Sequence, residues 1–255
     1  MSLLKVERIS ISFGGLRAVS NFSLDLGHKD LVGLIGPNGA GKTTIFNMLT
    51  GVYHPEDGRI MLNDTPLIGV PPYKINRLGI ARTFQNIRLF NDLTVLDNVK
   101  IAYQHLGGYP WGDAVFRSKR YHRKEKEITD WALELLSIFK LADKAEELAK
   151  NLPYGAQRRL EIARALAGKP KILLLDEPAA GMNPQETLEL LNLVKRIREE
   201  FDLTILLIEH DMSFVMNLCE RIIVLDYGQM IAEGAPDEIK SNPRVIQAYL
   251  GGEVS

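Results

Sequence analysis

A glycine-rich segment early in the chain has the residue types and the spacing of a phosphate-binding loop. Residues 36–43 read Gly-Pro-Asn-Gly-Ala-Gly-Lys-Thr, which matches the pattern G-x-x-x-x-G-K-[ST]. Glycines allow the backbone to curl so that successive N–H groups surround phosphate oxygens at the start of a helix. In such a loop Lys42 reaches the β- and γ-phosphates, and the Thr43 hydroxyl is a ligand for Mg²⁺. The segment therefore predicts a nucleotide phosphate site.

The alternative interpretation of this segment is a glycine-rich turn with an exposed lysine. The pattern arises by chance in about one of a hundred chains of this length. Here it also follows the apolar run Leu31–Ile35 and precedes Thr43–Leu49, which we predict to be helical. This placement between a strand and a helix favours the phosphate loop over the turn.

Two adjacent acids follow a second apolar run. Residues 171–178 read Lys-Ile-Leu-Leu-Leu-Asp-Glu-Pro. An acid at the carboxyl end of a parallel strand lies where ligands bind in open α/β sheets. We expect Asp176 to hold Mg²⁺ through its water shell and Glu177 to polarise a water for attack on the γ-phosphate. Two such acids alone more often cap a helix, but together with the phosphate loop they indicate hydrolysis rather than binding alone.

These residues need a sheet that brings the ends of several strands together. The alternation of Phe22, Leu24 and Leu26 with polar residues predicts half-buried strands within residues 3–35. From residue 152 onwards helices and strands alternate, which indicates βαβ units and a parallel sheet. The strands predicted in this part are Ile172–Leu175, Thr204–Ile208 and Ile222–Leu225.

A helical insertion is predicted between about residues 78 and 151. Residues 140–150 are rich in Ala, Glu, Leu and Lys, and apolar residues before them recur at helical spacing. Those apolar residues are Ile128, Trp131, Leu135, Ile138 and Phe139. The last fifteen residues, 241–255, form a short tail that we expect to dock as one helical turn. The docking side chains would be Ile246, Tyr249 and Leu250.

The composition excludes several classes of protein. With 45% hydrophobic and 25% charged residues, the 255-residue chain is not a disordered, collagen-like or disulfide-scaffold protein. Its net charge of -1 removes the whole-chain electrostatic argument for nucleic-acid binding. The single cysteine, Cys219, is expected to be a buried apolar residue in a reducing compartment. No apolar run approaches the roughly 18 residues of a membrane-spanning helix, and the N-terminus lacks signal-peptide order, so we expect a soluble cytoplasmic protein.

The order of these motifs resembles the ATP-binding cassette (ABC) family over essentially the whole chain. Gln85 follows Arg-Thr-Phe after the phosphate loop, and His210 follows Leu-Ile-Glu after a strand. Between them, residues 152–166 read Leu-Pro-Tyr-Gly-Ala-Gln-Arg-Arg-Leu-Glu-Ile-Ala-Arg-Ala-Leu. Within the family, the Arg-Thr-Phe-Gln segment and residues 242–251 are similar to one of the two ATPase subunits of branched-chain amino-acid importers.

The resemblance implies an α/β fold with a P-loop NTPase core. That core would have a mainly parallel sheet, an N-terminal antiparallel β subdomain and a helical insertion subdomain. The whole chain, 1–255, would be one ABC ATPase domain. Its expected divisions are a nucleotide-binding core at 1–90 and 152–240, a helical subdomain at 91–151 and a C-terminal tail at 241–255.

The resemblance also implies roles for individual residues. Phe13 would stack on adenine, Gln85 would sense the γ-phosphate and Mg²⁺, and His210 would orient the attacking water with Glu177. Without the resemblance, Phe13 is equally a core residue, Gln85 a surface glutamine and His210 a structural histidine. The predicted catalytic residues are Lys42, Gln85, Glu177 and His210. The predicted nucleotide ligands are Phe13, Gly36, Pro37, Asn38, Gly39, Ala40, Gly41, Lys42, Thr43 and Thr44, and those of Mg²⁺ are Thr43, Gln85 and Asp176.

Two segments depart from the family pattern. The signature of the family normally reads Leu-Ser-Gly-Gly-Gln, but here Leu152 is followed by Pro-Tyr-Gly-Ala. The serine hydroxyl is missing, and Pro153 also removes a backbone N–H. A helix beginning after Gly155 would still present a positive end. Asn183 stands where the family usually has aspartate. We therefore expect weak transition-state stabilisation by this signature, with no effect on the ATP bound to the chain's own phosphate loop.

The implied function is ATP hydrolysis that powers an ABC importer of branched-chain amino acids, with ATP and Mg²⁺ as cofactors. The expected partners are a second cassette ATPase of a different chain, integral-membrane permeases and, indirectly, a solute-binding protein, but no nucleic acid. The permeases would contact a surface near Phe90 and Leu93, unless these are core residues of the insertion. The chain would lie peripherally on the inner face of the cell membrane. Two alternatives stay open: an ABC ATPase of a lipid or lipopolysaccharide transporter, and a soluble ABC ATPase acting on nucleic acid.

Overall fold

The computed structural model of the chain describes residues 2–103 and 118–250, the last of these without its side chain. The strands of this part are β1 (Ser2–Phe13), β2 (Leu16–Gly27), β3 (Leu31–Ile35), β4 (Asp57–Leu62), β5 (Thr65–Pro66), β6 (Ile80–Arg82), β7 (Ile172–Asp176), β8 (Thr204–Ile208), β9 (Arg221–Asp226) and β10 (Gln229–Gly234). The helices are α1 (Lys42–Leu49), α2 (Pro72–Leu78), α3 (Val95–Tyr103), α4 (Lys119–Ile138), α5 (Tyr154–Ala167), α6 (Pro184–Glu200), α7 (Met212–Leu218), α8 (Pro236–Lys240) and α9 (Pro243–Leu250).

The larger sheet is mostly parallel and has the strand order β10-β9-β3-β8-β7-β6 within the described residues. All of its neighbours pair in parallel except β10, which pairs antiparallel with β9. Every residue of β3, β7 and β8 is buried, as expected for parallel strands covered on both faces. Asp176 ends β7, and the phosphate loop, Glu177 and His210 follow β3, β7 and β8. They therefore lie at the same edge of the sheet.

The smaller sheet is antiparallel and has the order β2-β1-β4-β5 in the described part of the chain. Its inward residues, including Phe22, pack with Phe46 of α1 and with one face of the larger sheet in a single hydrophobic cluster. The other face of the larger sheet packs against α3 to α9 in a second cluster. The mainly parallel core, the antiparallel β part and the helical part predicted from the sequence are confirmed.

The predicted insertion contains α3 and α4, and its helical spacing is confirmed by the burial of Ile128, Leu135 and Phe139. Residues 140–150, whose Ala, Glu, Leu and Lys content favoured a helix, do not continue α4. Lys140 has a positive φ of 56°, and the Leu141 amide donates to the Leu136 carbonyl at 2.8 Å, which together end α4. Two short 3₁₀ turns, Ala142–Lys144 and Ala149–Asn151, follow instead.

The tail forms α9, a helix of two turns rather than one. Val245 is buried, and Tyr249 packs against the helical side of the core. Ile246, which we expected to dock, is 45% exposed, and the side chain of Leu250 lies outside the described residues. Val245 and Tyr249 lie on one face because they are four residues apart, whereas Ile246 is turned by about 100° from Val245.

The environment of Cys219 agrees with the expectation from the sequence. Cys219 is buried and lies beside Gly33, where an added Cβ would come within 3.1 Å of its Sγ atom. The sequence prediction of a small buried apolar residue is therefore confirmed.

Across residues 2–103 and 118–250, the helices are too short or too polar for any of them to traverse a lipid bilayer.

Candidate functional site

The phosphate loop connects β3 to α1 through a backbone that only glycine adopts easily. Gly36 and Gly41 have φ values of 148° and 102°. A Cβ at Gly36 would collide with the Leu225 carbonyl oxygen, and one at Gly41 would lie 2.7 Å from the Ala18 carbonyl oxygen. The loop is therefore held tightly against β2 and β9, and these two positions exclude any side chain.

The remaining loop residues lie at the carboxyl edge of the sheet as predicted. Ala40 is buried and its carbonyl accepts from the Gly228 amide at 3.0 Å. Asn38, Gly39 and Thr43 are exposed, whereas Pro37 and Thr44 are half-buried. Because α1 begins at Lys42, the first amides of the helix have no intrahelical partner and are available to a phosphate.

Lys42 lies over the loop with its ammonium group facing inward. Its Nζ atom donates to the carbonyl oxygens of Gly36 at 2.7 Å and Pro37 at 2.9 Å. Burial lowers the pKa of Lys42, while the negative charges of Glu177 and Asp176 oppose this effect. The side chain is only 5% exposed. A buried cation held by neutral carbonyls can exchange these contacts for phosphate oxygens, which is the role predicted for this lysine.

Asp176 ends β7 and is paired with Arg82, a residue for which the sequence alone predicts no role. The carboxylate of Asp176 accepts from Arg82 at 2.7 Å, and the same guanidinium donates to Asn47 Oδ1 at 2.7 Å. Arg82 also lies 5.4 Å from the ring centre of Phe46 and 5.0 Å from that of Phe84. The buried guanidinium of Arg82 thus fixes one oxygen of the Asp176 carboxylate, and this sets the direction of the second carboxylate oxygen.

Glu177 follows Asp176 and bridges two predicted catalytic residues. Its Oε2 atom accepts from Gln85 Nε2 at 2.7 Å, and its Oε1 atom lies 2.7 Å from His210 Nε2. The backbone of Glu177 has a positive φ of 47°, a conformation that costs a non-glycine residue about 1–3 kcal/mol and is common at functional sites. The structure therefore brings Gln85, Glu177 and His210 together. Gln85 and His210 are exposed at this edge of the sheet, and their catalytic roles stay a prediction.

Glu209 is a buried acid that the sequence analysis missed. Its Oε1 atom accepts from the Ala179 amide at 2.7 Å, and its Oε2 atom accepts from the His210 amide at 3.0 Å. Burial raises the pKa of Glu209, while the backbone donors oppose this effect. The Glu209 side chain joins the loop after Glu177 to the turn that carries His210. It therefore keeps these two segments next to each other.

Phe13 is at the end of β1 and is not a core residue. Its side chain is 44% exposed, and its ring meets Tyr53 edge to face with centres 5.1 Å apart. The alternative interpretation as a buried strand residue is therefore wrong. An exposed aromatic ring can offer one face to a flat heterocycle.

The signature segment begins α5 two residues earlier than predicted, at Tyr154 instead of after Gly155. Pro153 occupies the cap position and provides no side-chain hydrogen bond. The Tyr154 hydroxyl accepts from Arg158 at 3.1 Å, and its ring packs on Gly181, where an added Cβ would lie 3.2 Å away. Proline is compatible with this position because its fixed φ and its missing N–H are tolerated at the start of a helix.

Asn183, the second departure, caps helix α6. Its Oδ1 atom accepts from the Glu186 amide at 2.9 Å, and Glu186 Oε2 accepts from the Asn183 amide at 3.1 Å. Asparagine and aspartate cap helices equally well. The exchange relative to the family therefore retains the local fold.

Comparison with known proteins adds independent findings. A family model described as "ABC transporter" matches residues 19–180, and one described as "Branched-chain amino acid ATP-binding cassette transporter" matches residues 229–255. The high-affinity branched-chain amino acid transport ATP-binding protein LivG of Escherichia coli (strain K12) is 47% identical over 249 residues, which are 98% of each chain.

Solved structures match over nearly the same length. The ADP conformation of an ATP-binding cassette of an ABC transporter has a TM-score of 0.86 at 32% identity, and the match covers 98% of this chain and 99% of that chain. A dimeric, post-hydrolysis ATP-binding cassette bound to ADP and Pi has a TM-score of 0.76 at 26% identity, covering 91% of this chain and 98% of that chain.

Proposed function

Because this chain belongs to the ABC transporter family of ATP-binding cassettes, we propose that it is the ATP-hydrolysing subunit of an importer for branched-chain amino acids. The observation that carries the proposal is the position of Glu177. Its carboxylate is held by Gln85 and His210 at the edge of the sheet, and its charge acts on Lys42 of the phosphate loop. A fixed carboxylate beside a phosphate loop is suited to activate water.

In the proposed reaction the residues of the site bind ATP and activate a water. Lys42 and the first amides of α1 bind the β- and γ-phosphates, and Phe13 stacks on the adenine. The Glu177 carboxylate accepts a proton from a water that attacks the γ-phosphorus, while the bond from this phosphorus to the bridging oxygen breaks and ADP leaves. Gln85 and His210 keep the carboxylate and the water in line, and His210 contacts the γ-phosphate.

The residues near the loop also suit Mg²⁺. In the described part of the chain, no three or more His, Cys, Asp or Glu side chains form a group that could hold a metal by themselves. The available donors are instead the Thr43 hydroxyl, the Asp176 carboxylate and the Gln85 amide oxygen. This set is typical of Mg²⁺, which prefers oxygen ligands and completes its shell with waters and substrate phosphates. When bound, the ion would neutralise charge on the β- and γ-phosphates.

The cargo is inferred from relatives. The LivG protein, 47% identical to this chain, is named for high-affinity branched-chain amino acid transport. The match of residues 229–255 to a branched-chain amino acid family model supports the same cargo. Both observations favour amino-acid import over the two alternatives, a lipid or lipopolysaccharide transporter and a soluble ABC ATPase acting on nucleic acid.

The partners follow from the same assignment. We propose that this chain pairs with a second cassette ATPase, so that each ATP lies between one phosphate loop and the other chain's signature. The pair would be attached to permease subunits at the inner face of the cell membrane and would act with a solute-binding protein. Phe90, which is 49% exposed, and the half-buried Leu93 lie close to the Gln85 loop and are suited to contact a permease.

The test is uptake by a complete transporter in vesicles. Permeases and both cassettes would be reconstituted with ATP on the side of the cassettes, and radioactive leucine would be offered with the solute-binding protein. We expect leucine uptake that requires ATP and stops when Glu177→Gln replaces this chain. ATP hydrolysis without uptake of any branched-chain amino acid would contradict the cargo, and the absence of hydrolysis would contradict the ATPase assignment.

A further inference from the structure

A completely buried arginine lies between the signature helix and the loop that carries Gln85. Arg158, on the first turns of α5, has no exposed surface. Its NH1 atom donates to the Phe84 carbonyl at 2.6 Å and to Glu161 at 2.9 Å. Its NH2 atom donates to the Gln85 carbonyl at 2.7 Å and to the Tyr154 hydroxyl at 3.1 Å. One side chain thus contacts both the helix and the loop.

Glu161 completes this contact from the same helix. Its Oε1 atom accepts from the amides of Arg88 at 3.1 Å and Phe84 at 3.4 Å. The side chain is 1% exposed, and the pair therefore faces no solvent. Together the two side chains hold the loop at two carbonyl groups and two amides.

The loop has few other anchors. In the described part of the chain, no backbone-to-backbone hydrogen bond outside the regular elements involves residues 84–88. The preceding anchor is the Thr83 amide, which donates to the Leu174 carbonyl at 2.9 Å. The position of Gln85, whose side chain reaches Glu177, therefore depends on the charged pair on α5.

The buried pair of Arg158 and Glu161 contributes more to the position of the Gln85 loop than to the stability of the fold. Burying two charges costs about as much as their attraction returns, so an apolar pair of the same size often gives equal stability. A buried fork that fixes two carbonyl oxygens nevertheless sets the direction of the backbone that carries them. The NH2 atom that binds the Gln85 carbonyl also holds the hydroxyl of Tyr154, the first residue of the signature helix, whose ring packs on Gly181.

From these contacts we propose that Arg158 is a positioning residue that makes the signature helix and the Gln85 loop move as one unit. This proposal rests on the proposed function, in which the signature closes over the ATP of a partner cassette while Gln85 serves the ATP of this chain. Nucleotide on the chain's own phosphate loop would then set the position of Tyr154, and closure over the partner's nucleotide would set the position of Gln85 and Glu177.

The decisive variant replaces both charges with apolar side chains of similar length, R158M/E161M, so that no unpaired charge stays buried. The matched control is R198M/E220M, which removes another charged pair, 2.7 Å apart, that joins α6 to the start of β9 away from the site. ATP binding and hydrogen exchange would be measured on the full chain. Turnover would be measured in the assembled transporter.

We expect R158M/E161M to bind ATP within about twofold of wild type and to show an unchanged KM. Its kcat should fall about 10- to 100-fold because a small displacement of a positioning group is enough for such a loss. In the wild-type chain, ATP should change hydrogen exchange at residues 154–157, and this response should vanish in R158M/E161M. The control should keep turnover and response.

Several results would overturn the proposal. These are wild-type kcat in R158M/E161M, an exchange response that persists, a wild-type chain whose residues 154–157 do not respond to ATP, and an equal loss of ATP binding and turnover. If R158M/E161M does not fold, R158K decides by the same criteria, since lysine keeps the charge but cannot hold two carbonyls as a fork. Failure of the wild-type chain to hydrolyse ATP would instead refute the proposed function, so the two failures are distinguishable.

Discussion

Glu177 and His210 share a short hydrogen bond, with 2.7 Å between Oε1 and Nε2. A carboxylate only accepts, so in this contact the Nε2 atom carries the hydrogen. The two residues come from loops after neighbouring parallel strands, and Glu209 ties these loops together. The carboxylate is therefore oriented before any nucleotide binds, which reduces the reorganisation that catalysis requires.

Replacing this carboxylate by an amide should abolish turnover and leave binding intact. We expect Glu177→Gln to lower the steady-state rate of ATP hydrolysis about 10²–10⁴-fold, because the amide cannot accept the proton of the water. Turnover and ATP affinity would be measured on the same preparation, with Glu189→Gln on α6 as the control. Near-normal turnover would remove Glu177 from its proposed role.

Loss of the loop lysine should weaken binding itself. Lys42→Ala removes the charged donor that we propose binds the β- and γ-phosphates, and such hydrogen bonds contribute about 1.5–3 kcal/mol. We therefore expect the dissociation constant of Mg²⁺·ATP to rise about 10- to 100-fold in an equilibrium titration. Lys126→Ala, at an exposed ion pair on α4, serves as the control. An unchanged constant would mean that the loop does not cradle phosphate.

Arg82→Met should destabilise the chain by leaving the buried carboxylate of Asp176 without its cation. Breaking a buried pair in this way costs about 3–5 kcal/mol, which denaturant unfolding would measure. Arg198→Met, whose partner Glu220 is 60% exposed, should cost about 1 kcal/mol or less. Because Mg²⁺ in the proposed site would supply another cation to Asp176, the deficit of Arg82→Met should shrink with Mg²⁺·ATP. If Arg82→Met lowers the free energy of unfolding no more than Arg198→Met does, the ion pair of Arg82 and Asp176 does not stabilise the fold.

The cap of α6 can be tested by measuring the stability of the chain alone. Asn183→Ala removes the acceptor for the Glu186 amide, so the free energy of unfolding should fall by about 0.5–2 kcal/mol. Asn183→Asp keeps an acceptor and should leave stability within a few tenths of a kcal/mol. If both variants unfold at the same denaturant concentration as wild type, the capping box contributes nothing measurable.

Restoring the missing hydroxyl of the signature should raise hydrolysis at the other site. The structure shows that Tyr154 is tied to Arg158 and Gly181, so Pro153→Ser alone is preferable to changing both residues. A donor aimed at developing phosphate charge contributes up to about 10²–10³ in rate. Glu177→Gln would first abolish hydrolysis at the phosphate loop of this chain in the assembled transporter. Pro153→Ser should then increase the hydrolysis that remains at the partner's phosphate loop. Pro236→Ser at α8 should not, and a rate unchanged by Pro153→Ser would contradict the idea.

The parts of the fold that were predictable are those with a strong local pattern. β3, β7 and β8 are uninterrupted apolar runs, so their burial between two layers was evident from the sequence. The strand β6, only three residues long, is too short to show any period. β10 was also missed, because its residues are half-buried or exposed at the sheet edge and lack a clear alternation.

The chemistry of the site was predictable where a motif carries it and not where a distant partner does. The order of motifs placed Gln85, Glu177 and His210 at one site, whereas their direct hydrogen bonds were seen only in the structure. The pairing of Arg82 with Asp176 joins residues 94 positions apart, a separation at which spacing gives no information. Arg158 and Glu161 left a weak signal, because opposite charges three residues apart lie on one face of a helix.

The burial of Cys219 has a practical consequence. Burial raises the pKa of this thiol, and alkylating reagents attack the thiolate rather than the thiol. Since it is the one cysteine of the sequence, the folded chain already provides a silent background for maleimide chemistry. Cysteines introduced at exposed positions such as Leu16 and Leu188 could carry spin labels or fluorophores with no further engineering. Distances between such probes would report directly how far two cassettes separate during each cycle.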